Sequence, residues 1–202
     1  AQDRTEAQPR LVPWAVGRQP AVRFEGEQVL HQTDAERARV IGVEHTIVLF
    51  LRVNGDSPRQ TLLDIRDKDD DDVILQRLVY LVGARKRRVR VTLCDGRNEE
   101  YQSIMKADLH RPTAVAVRRD SSRAILNVDR EQLPLNHNQD AMPAGTYITS
   151  LGATFDGKAW TDHLDGDILE LVVYNQCLSD KRLNRIIEDM HERYVGREAP
   201  ND

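Results

Sequence analysis

Short apolar runs, separated by turn-forming residues, recur along almost the whole chain of 202 residues. The segments between them are polar, such as VNGDSP, DKDDDD, CDGRN, RRDSSR and NHNQDAMPAG. Runs of this length with such punctuation favour β-strands, and they do not alternate with helical segments. The pattern therefore predicts an all-β fold, an antiparallel β-sandwich, with a β-barrel as the alternative.

Two of the segments predicted as strands indicate where they lie in the fold or how they pair. The segment TIVLFLRV alternates only weakly, which indicates a central strand covered on both faces. The segment VAVRRDSSRAILNVD reads as strand, polar turn and strand, which predicts a hairpin. In chain order the predicted strands are 21–24, 28–30, 46–53, 61–65, 73–82, 89–94, 114–118, 124–128, 147–151 and 168–174.

Length and composition fit one folded domain. Hydrophobic residues make up 40% and charged residues 31% of the chain, which is typical of globular proteins. The net charge of -4 gives no general attraction to nucleic acid or anionic membranes. No apolar run approaches the roughly 20 residues of a membrane span. We predict an irregular N-terminal arm over 1–19, where Pro9 and Pro13 fall, a domain over 20–197 and a tail over 198–202.

One amphipathic helix is predicted at the end of the domain. Ser179 suits the N-cap, Asp180 suits the first turn, and Gly196 follows the last turn. One apolar stripe at helical spacing should dock on the sandwich. Its members are Leu183, Ile186, Ile187, Met190 and Tyr194.

The C-terminal segment DGDILELVVYNQCLSDKRLNRIIEDMHERYVG resembles the end of laminin-G-like jelly-roll domains, in the concanavalin A-like lectin and glucanase superfamily. VRFEGEQVL is similar to the opening strand of that family, and PTAVAVRRDSSRAILNVD to its central hairpin. Asp129 is followed by Arg130, where the family usually has glycine. The matching C-terminal residues are Gly166, Ile168, Glu170, Val172, Tyr174, Asn175, Leu178, Ser179, Tyr194 and Gly196.

This resemblance covers about residues 20–197 and implies a jelly-roll sandwich. It also implies a non-catalytic module that binds a protein or glycan partner through loops at the rim of the sandwich. Aromatic residues make up only 5% of the chain, so we expect a protein partner or a larger assembly before a glycan.

Three carboxylates suggest an enzyme as the alternative. Asp165, Asp167 and Glu170 have a spacing close to the E-x-D-x-x-E strand motif of glucanases with this fold. A glycoside hydrolase or lyase would use two of them as acid and nucleophile. On a regular strand, however, the two aspartates share one face and Glu170 lies on the other. The laminin-G-like ending accounts for this segment without any chemistry, so we predict no catalytic residue.

Two loops hold candidate binding residues. Asp67, Asp69 and Asp71, in DKDDDD, could supply oxygen ligands to calcium, or they could form a solvated loop. Trp160, Asp162 and His163, in FDGKAWTDHLDG, could bind a ligand at the surface. Alternatively, the tryptophan packs against the sandwich, as tryptophans often do.

Three further features leave alternatives open. In ARKRRVRV, alternation places Arg88 and Arg90 on one face, which indicates a solvent-facing strand or a site for phosphate or sulfated sugar. No aromatic residue interrupts this cluster, which argues against nucleic acid. Cys94 and Cys177 are two free thiols or one disulfide. The start at Ala1 without methionine fits export to the periplasm, cell surface or medium, or a fragment boundary.

Overall fold

The computed structural model describes residues 8–16, 19–31, 44–67, 74–84, 86–94, 100–135 and 147–196. This part of the chain forms two large antiparallel sheets, a small hairpin and one helix, α1 (Asp180–Tyr194). The strands are β1 (Arg10–Val16), β2 (Gln19–Glu25), β3 (Leu30–His31), β4 (His45–Val53), β5 (Arg59–Asp67), β6 (Ile74–Gly83), β7 (Lys86–Cys94), β8 (Glu100–Lys106), β9 (Thr113–Arg119), β10 (Ala124–Val128), β11 (Glu131–Leu135), β12 (Tyr147–Leu151), β13 (Thr154–Phe155), β14 (Trp160–Thr161) and β15 (Asp165–Tyr174).

The two large sheets form a sandwich, as the sequence predicts. The seven-stranded sheet has the order β1-β2-β15-β4-β9-β10-β11, and the six-stranded sheet has the order β3-β12-β5-β6-β7-β8. Within the described residues, strands β13 and β14 pair with each other and with no other strand. Some strands that are distant in sequence pair in the sheet. For example, the last strand, β15, pairs with β4.

Strand β4 is buried on both faces, which confirms the prediction for TIVLFLRV. Ile47, Leu49 and Leu51 belong to the core between the two sheets. Val48 and Phe50 belong to a second apolar cluster, which lies between the seven-stranded sheet and α1. The described part of the chain therefore forms three layers, with β4 in the middle one.

The helix confirms the predicted docking stripe. Leu183, Ile187 and Met190 are fully buried against the sheet, and Ile186 and Tyr194 pack beside them. Ser179 occupies the N-cap position but makes no side-chain hydrogen bond there, and Gly196, with a positive φ of 85°, follows the helix.

A buried arginine fixes the start of the helix to the sheet. Arg118 on β9 is 1% exposed. Its Nη1 donates to the Leu178 carbonyl (2.9 Å) and to Asp180 Oδ1 (2.6 Å), and its Nε donates to Asn127 Oδ1 (3.1 Å). One guanidinium thus joins β9, β10 and the first turn of α1.

The predicted hairpin at VAVRRDSSRAILNVD is confirmed as β9–β10. Asp120 closes the turn by accepting hydrogen bonds from the backbone amides of Ser122 and Arg123. The sequence did not predict strands β8 and β11. Both lie at a sheet edge, where half-exposed, polar sequences such as EYQSIMK and EQLPL replace apolar runs.

The predicted irregular arm over 1–19 is wrong for Arg10–Val16, which form strand β1. Pro13 is compatible with this strand because β1 is the edge of the seven-stranded sheet and its register against β2 is irregular between Val12 and Val16. The domain bounds of 20 and 197 stay predictions, and the tail over 198–202 lies outside the described residues.

Replacing Arg118 with methionine should destabilise the fold. Arg118→Met keeps the volume but leaves several buried acceptors without a donor, so the free energy of unfolding should fall by about 3 kcal/mol. Urea denaturation measures this loss. The control is Arg185→Met, at an exposed position of α1, with an expected change within about 0.5 kcal/mol. Equal effects of both variants would contradict the role of Arg118.

Candidate functional site

Two of the three carboxylates of the enzyme alternative, Asp167 and Glu170, contact arginines. Asp167 is 0% exposed and lies between Arg23, whose Nε is 2.7 Å from Asp167 Oδ1, and Arg52, whose Nη2 is 2.6 Å from Asp167 Oδ2. Burial alone would raise the pKa of Asp167, but the hydrogen bonds and charges of Arg23 and Arg52 outweigh it and lower that pKa. Asp167 is therefore ionised and fully paired at neutral pH.

A bulge in β15 corrects the expected position of Glu170. Ile168 pairs with Leu51 and Glu170 pairs with Phe50, so Leu169 is an extra residue in the strand. The bulge turns Glu170 to the same face as Asp167, where its Oε2 lies 3.0 Å from Arg193 Nη1. A glycosidase needs an acid that keeps its proton near neutral pH. The lowered pKa of Asp167 does not suit that task.

The three predicted ligand-binding residues come together at the hairpin of β13 and β14. His163 Nε2 lies 3.0 Å from the Trp160 carbonyl oxygen, and Asp162 Oδ2 lies 2.7 Å from Arg59 Nε. The Trp160 ring is half-buried between His31 (5.3 Å between ring centroids) and Phe155 (5.4 Å). Trp160 is thus partly packed and partly exposed. This lies between the two sequence-based interpretations, a surface residue that binds a ligand and a residue packed against the sandwich.

The outer surface of the six-stranded sheet carries a row of arginines beside this hairpin. Val89 and Val91 lie in the core, so alternation directs Arg88 and Arg90 outward, as predicted. Arg88 pairs with Leu81 of β6, which pairs with Arg59 of β5, and Arg77 of β6 pairs with Asp64 of β5, so this surface extends over β6 and β5. We call it the arginine face; it comprises Arg59, Arg66, Arg77, Arg88 and Arg90.

Asp64 is the centre of the arginine face, and sequence reasoning missed it. The carboxylate is 0% exposed and accepts hydrogen bonds from Arg66 Nε (2.7 Å) and Arg77 Nε (3.0 Å). Thr154 of the hairpin donates its hydroxyl to Asp64 Oδ2 (2.6 Å). The hairpin with Trp160 is therefore bonded directly to the arginine face.

The arginine face is rich in guanidinium groups, although the whole chain has a net charge of -4. Asp64 contacts Arg66 and Arg77 on this face, and Asp162 contacts Arg59. Guanidinium groups attract anions and offer planar donors for carboxylates.

A concavity of about 1080 Å³ lies at one end of the sandwich, beside the C-terminal half of α1. Its charged groups pair with one another on the helix side. Arg130 Nη2 lies 2.8 Å from Glu188 Oε1, and His191 Nε2 lies 2.9 Å from Asp129 Oδ1. We prefer the arginine face as the candidate for an anionic ligand, because it groups five arginines beside the half-buried ring of Trp160.

Comparisons with known proteins identify the fold. Neither a protein-family model nor a curated protein sequence matches the chain. A structure of NanB with Optactamide matches 82% of this chain and 27% of that chain, with a TM-score of 0.68 and 14% identity. The SAP-like pentraxin from Limulus polyphemus matches 82% of this chain and 80% of that chain (TM-score 0.61, 10% identity).

The Ruminococcus gnavus IT-sialidase CBM40 matches 89% of this chain and 96% of that chain, with a TM-score of 0.65 and 17% identity. The chain has a jelly-roll fold of the concanavalin A-like type. Membership of the laminin-G-like branch stays a prediction. Among the described residues of this jelly roll, no helix has both the length and the apolar character needed to cross a membrane.

The predicted calcium site falls mostly outside the described residues. Asp69 and Asp71 lie there, whereas Asp67 is the last residue of β5. Within the described part of the chain, no group of three His, Cys, Asp or Glu side chains could hold a metal ion. Calcium binding stays a prediction. Cys177 is a free, half-buried thiol.

Replacing Asp167 with asparagine should reduce stability in a pH-dependent way. The pKa of Asp167 is lower in the folded protein than in the unfolded chain, so the ionised carboxylate stabilises the fold above about pH 4. Asp167→Asn should lower the free energy of unfolding by about 3 kcal/mol at neutral pH, because it leaves two arginines unpaired.

As the pH falls below about 4 and the native carboxyl takes up its proton, wild type and Asp167→Asn should converge in stability. Urea denaturation at neutral and acidic pH checks this. Asp189→Asn, at an exposed position of α1, is the control and should lose little at either pH. A constant difference between wild type and Asp167→Asn at all pH values would refute the assignment.

Proposed function

We propose that this chain is a non-catalytic glycan-binding module that recognises sialylated glycans on its arginine face, beside the hairpin of Trp160. The observation that carries this proposal is the group of arginines around Asp64, bonded to a hairpin with a half-exposed tryptophan. The proposal moves the site from the rim loops to one sheet face.

Structures of the same fold support a sugar ligand. The Ruminococcus gnavus CBM40 has been solved bound to α2,3 sialyllactose and to α2,6 sialyllactose. The binding domain of botulinum neurotoxin DC has been solved in complex with SialylT, and it matches 91% of this chain at 12% identity. At such identities the likeness establishes the fold alone, so the argument for the ligand rests on the chemistry of the face.

That chemistry suits an acidic sugar. A sialic acid carries a carboxylate at neutral pH, and guanidinium groups bind carboxylates through paired hydrogen bonds. Asp64 engages Nε and Nη2 of Arg77, which leaves the Nη1 group for a ligand. Arg59 and Asp162, paired at 2.7 Å, offer a donor and an acceptor to sugar hydroxyls.

Trp160 would supply the apolar contact. Its ring is held between His31 and Phe155 while part of it stays exposed, and sugar rings present C–H faces that pack on aromatic rings. His163 supports this position because its ring is 3.0 Å from the Trp160 carbonyl. Trp160, Asp162 and His163 are therefore proposed as members of one site with the arginines.

Two predictions from the sequence, a protein partner and export, are compatible with this proposal. The low aromatic content of 5% favours a protein partner or a role as an accessory subunit, and export would bring the module to external glycans. A hydrolase or lyase is the alternative class. Loss of polysaccharide hydrolysis in Glu170→Gln would establish it.

Calorimetric titration tests the ligand. The protein should bind 3′-sialyllactose, and it should bind lactose at least about tenfold more weakly, because lactose lacks the carboxylate. Raising the ionic strength should weaken only the sialyllactose interaction. Equal binding of both sugars, or of neither, would exclude this proposal.

Two single-charge variants locate the site. Arg88→Ala removes a guanidinium from the arginine face and should weaken sialyllactose binding several-fold, as expected for a charge at the border of a site. Arg185→Ala removes the same charge from the exposed side of α1 and should leave affinity unchanged. If Arg185→Ala has the larger effect, the ligand binds elsewhere.

Trp160 should contribute through its ring. Trp160→Ala should weaken binding of sialyllactose about tenfold, corresponding to about 1.4 kcal/mol, whereas Trp160→Phe should retain most of the affinity. Thermal unfolding of both variants separates a loss of contact from a loss of structure. Unchanged affinity in a folded Trp160→Ala protein would remove the ring from the site.

A further inference from the structure

The carboxylate of Asp64 makes an unusual number of bonds for a group on a binding surface. It is 0% exposed, and its two oxygens accept from Arg66 Nε, from Nε and Nη2 of Arg77, and from Thr154 Oγ1. Arg66 and Arg77 side chains are only 9% and 12% exposed. Asp64 is therefore saturated by the protein and cannot itself contact a ligand.

Thr154 completes this arrangement from another part of the chain. Its hydroxyl donates to Asp64 and accepts from Arg66 Nη2 (2.5 Å). Thr154 pairs with Thr161 across the hairpin, and Thr161 directly follows Trp160. The orientation of the arginines and the position of the tryptophan are thus linked through one hydroxyl group.

Stability alone does not account for this group. A buried ion-pair network loses hydration when it forms, and well-packed apolar residues of similar volume stabilise proteins as much or more. What the network does provide is a fixed orientation: a guanidinium held through two of its nitrogens presents the third in one direction.

We propose that Asp64 and Thr154 are positioning residues. They hold the arginine face and the Trp160 hairpin in a fixed relative position, so that both contact the same ligand. This inference rests on the proposed function. Asp64 fixes Arg77 so that its Nη1 group meets an anionic substituent, and Thr154 holds the tryptophan ring at the matching distance for the rest of the sugar.

Thr154→Val tests the link without changing the size of the side chain. It removes the hydroxyl that joins the hairpin to Asp64 and Arg66. Calorimetric titration with 3′-sialyllactose should show binding about tenfold weaker than wild type, equivalent to about 1.4 kcal/mol. Thr154→Ser restores a hydroxyl and should bring affinity back to within about twofold of wild type.

Thr161→Val is the matched control. It removes a hydroxyl from the same hairpin, but that hydroxyl does not contact Asp64 and lies 3.5 Å from the Thr154 carbonyl oxygen. Its affinity should stay within about twofold of wild type. All variants are compared well below their unfolding midpoints, so a purely structural role of Thr154 would lower the midpoint and leave affinity unchanged.

A ligand-free measurement keeps the two proposals apart. In NMR spectra of the arginine Nε–Hε groups, Thr154→Val should shift the signals of Arg66 and of Arg77, whereas Thr161→Val should shift neither. An unmoved Arg77 signal, or unchanged sialyllactose affinity in Thr154→Val, overturns the positioning role. Absence of binding by the wild type overturns the proposed function, and the positioning role falls with it.

Discussion

The burial of β4 on both faces is the constraint on which the rest of the structure depends. A strand with apolar side chains on both sides must be covered twice. The six-stranded sheet covers one side, and the amphipathic helix, fixed by Arg118, covers the other. The helix covers part of the outer surface of the seven-stranded sheet, whereas the outer surface of the six-stranded sheet carries the arginine face.

Both sheets use the same device to hold charge. Asp167 joins β15 to β2 and β4 through two arginines, and Asp64 joins β5 to β6 and to the β13 hairpin. Each carboxylate is fully buried and each links three elements. The Asp64 group also lies beside the partly exposed Trp160 and further arginines. Similar local chemistry therefore serves packing on one face and the proposed recognition on the other.

The sequence predicted the interior of this fold well because buried strands have apolar sequences and turns have polar ones. It predicted β10 and β12 with the observed bounds, as well as the terminal helix and its buried stripe. Edge strands such as β1 were missed, since exposure permits proline and polar residues there. The bulge at Leu169 has no local signal, because it is set by pairing with β4.

The candidate site divides in the same way. Alternation in KRRVRV correctly indicated the direction of Arg88 and Arg90, and the loop composition pointed to Trp160. Asp64 was not recognisable, because TLLDIRD reads as a buried strand and two of the partners of Asp64, Arg77 and Thr154, come from other strands. Groups assembled by strand pairing become visible only when the register is known.

The proline in the first strand affects whether two molecules can associate through the edges of their sheets. Pro13 lacks an amide hydrogen, and the pairing of this edge strand with β2 is irregular between Val12 and Val16. An approaching strand from a neighbouring molecule therefore meets a poor template for hydrogen bonding. Edge-to-edge association of two molecules through β1 is therefore disfavoured.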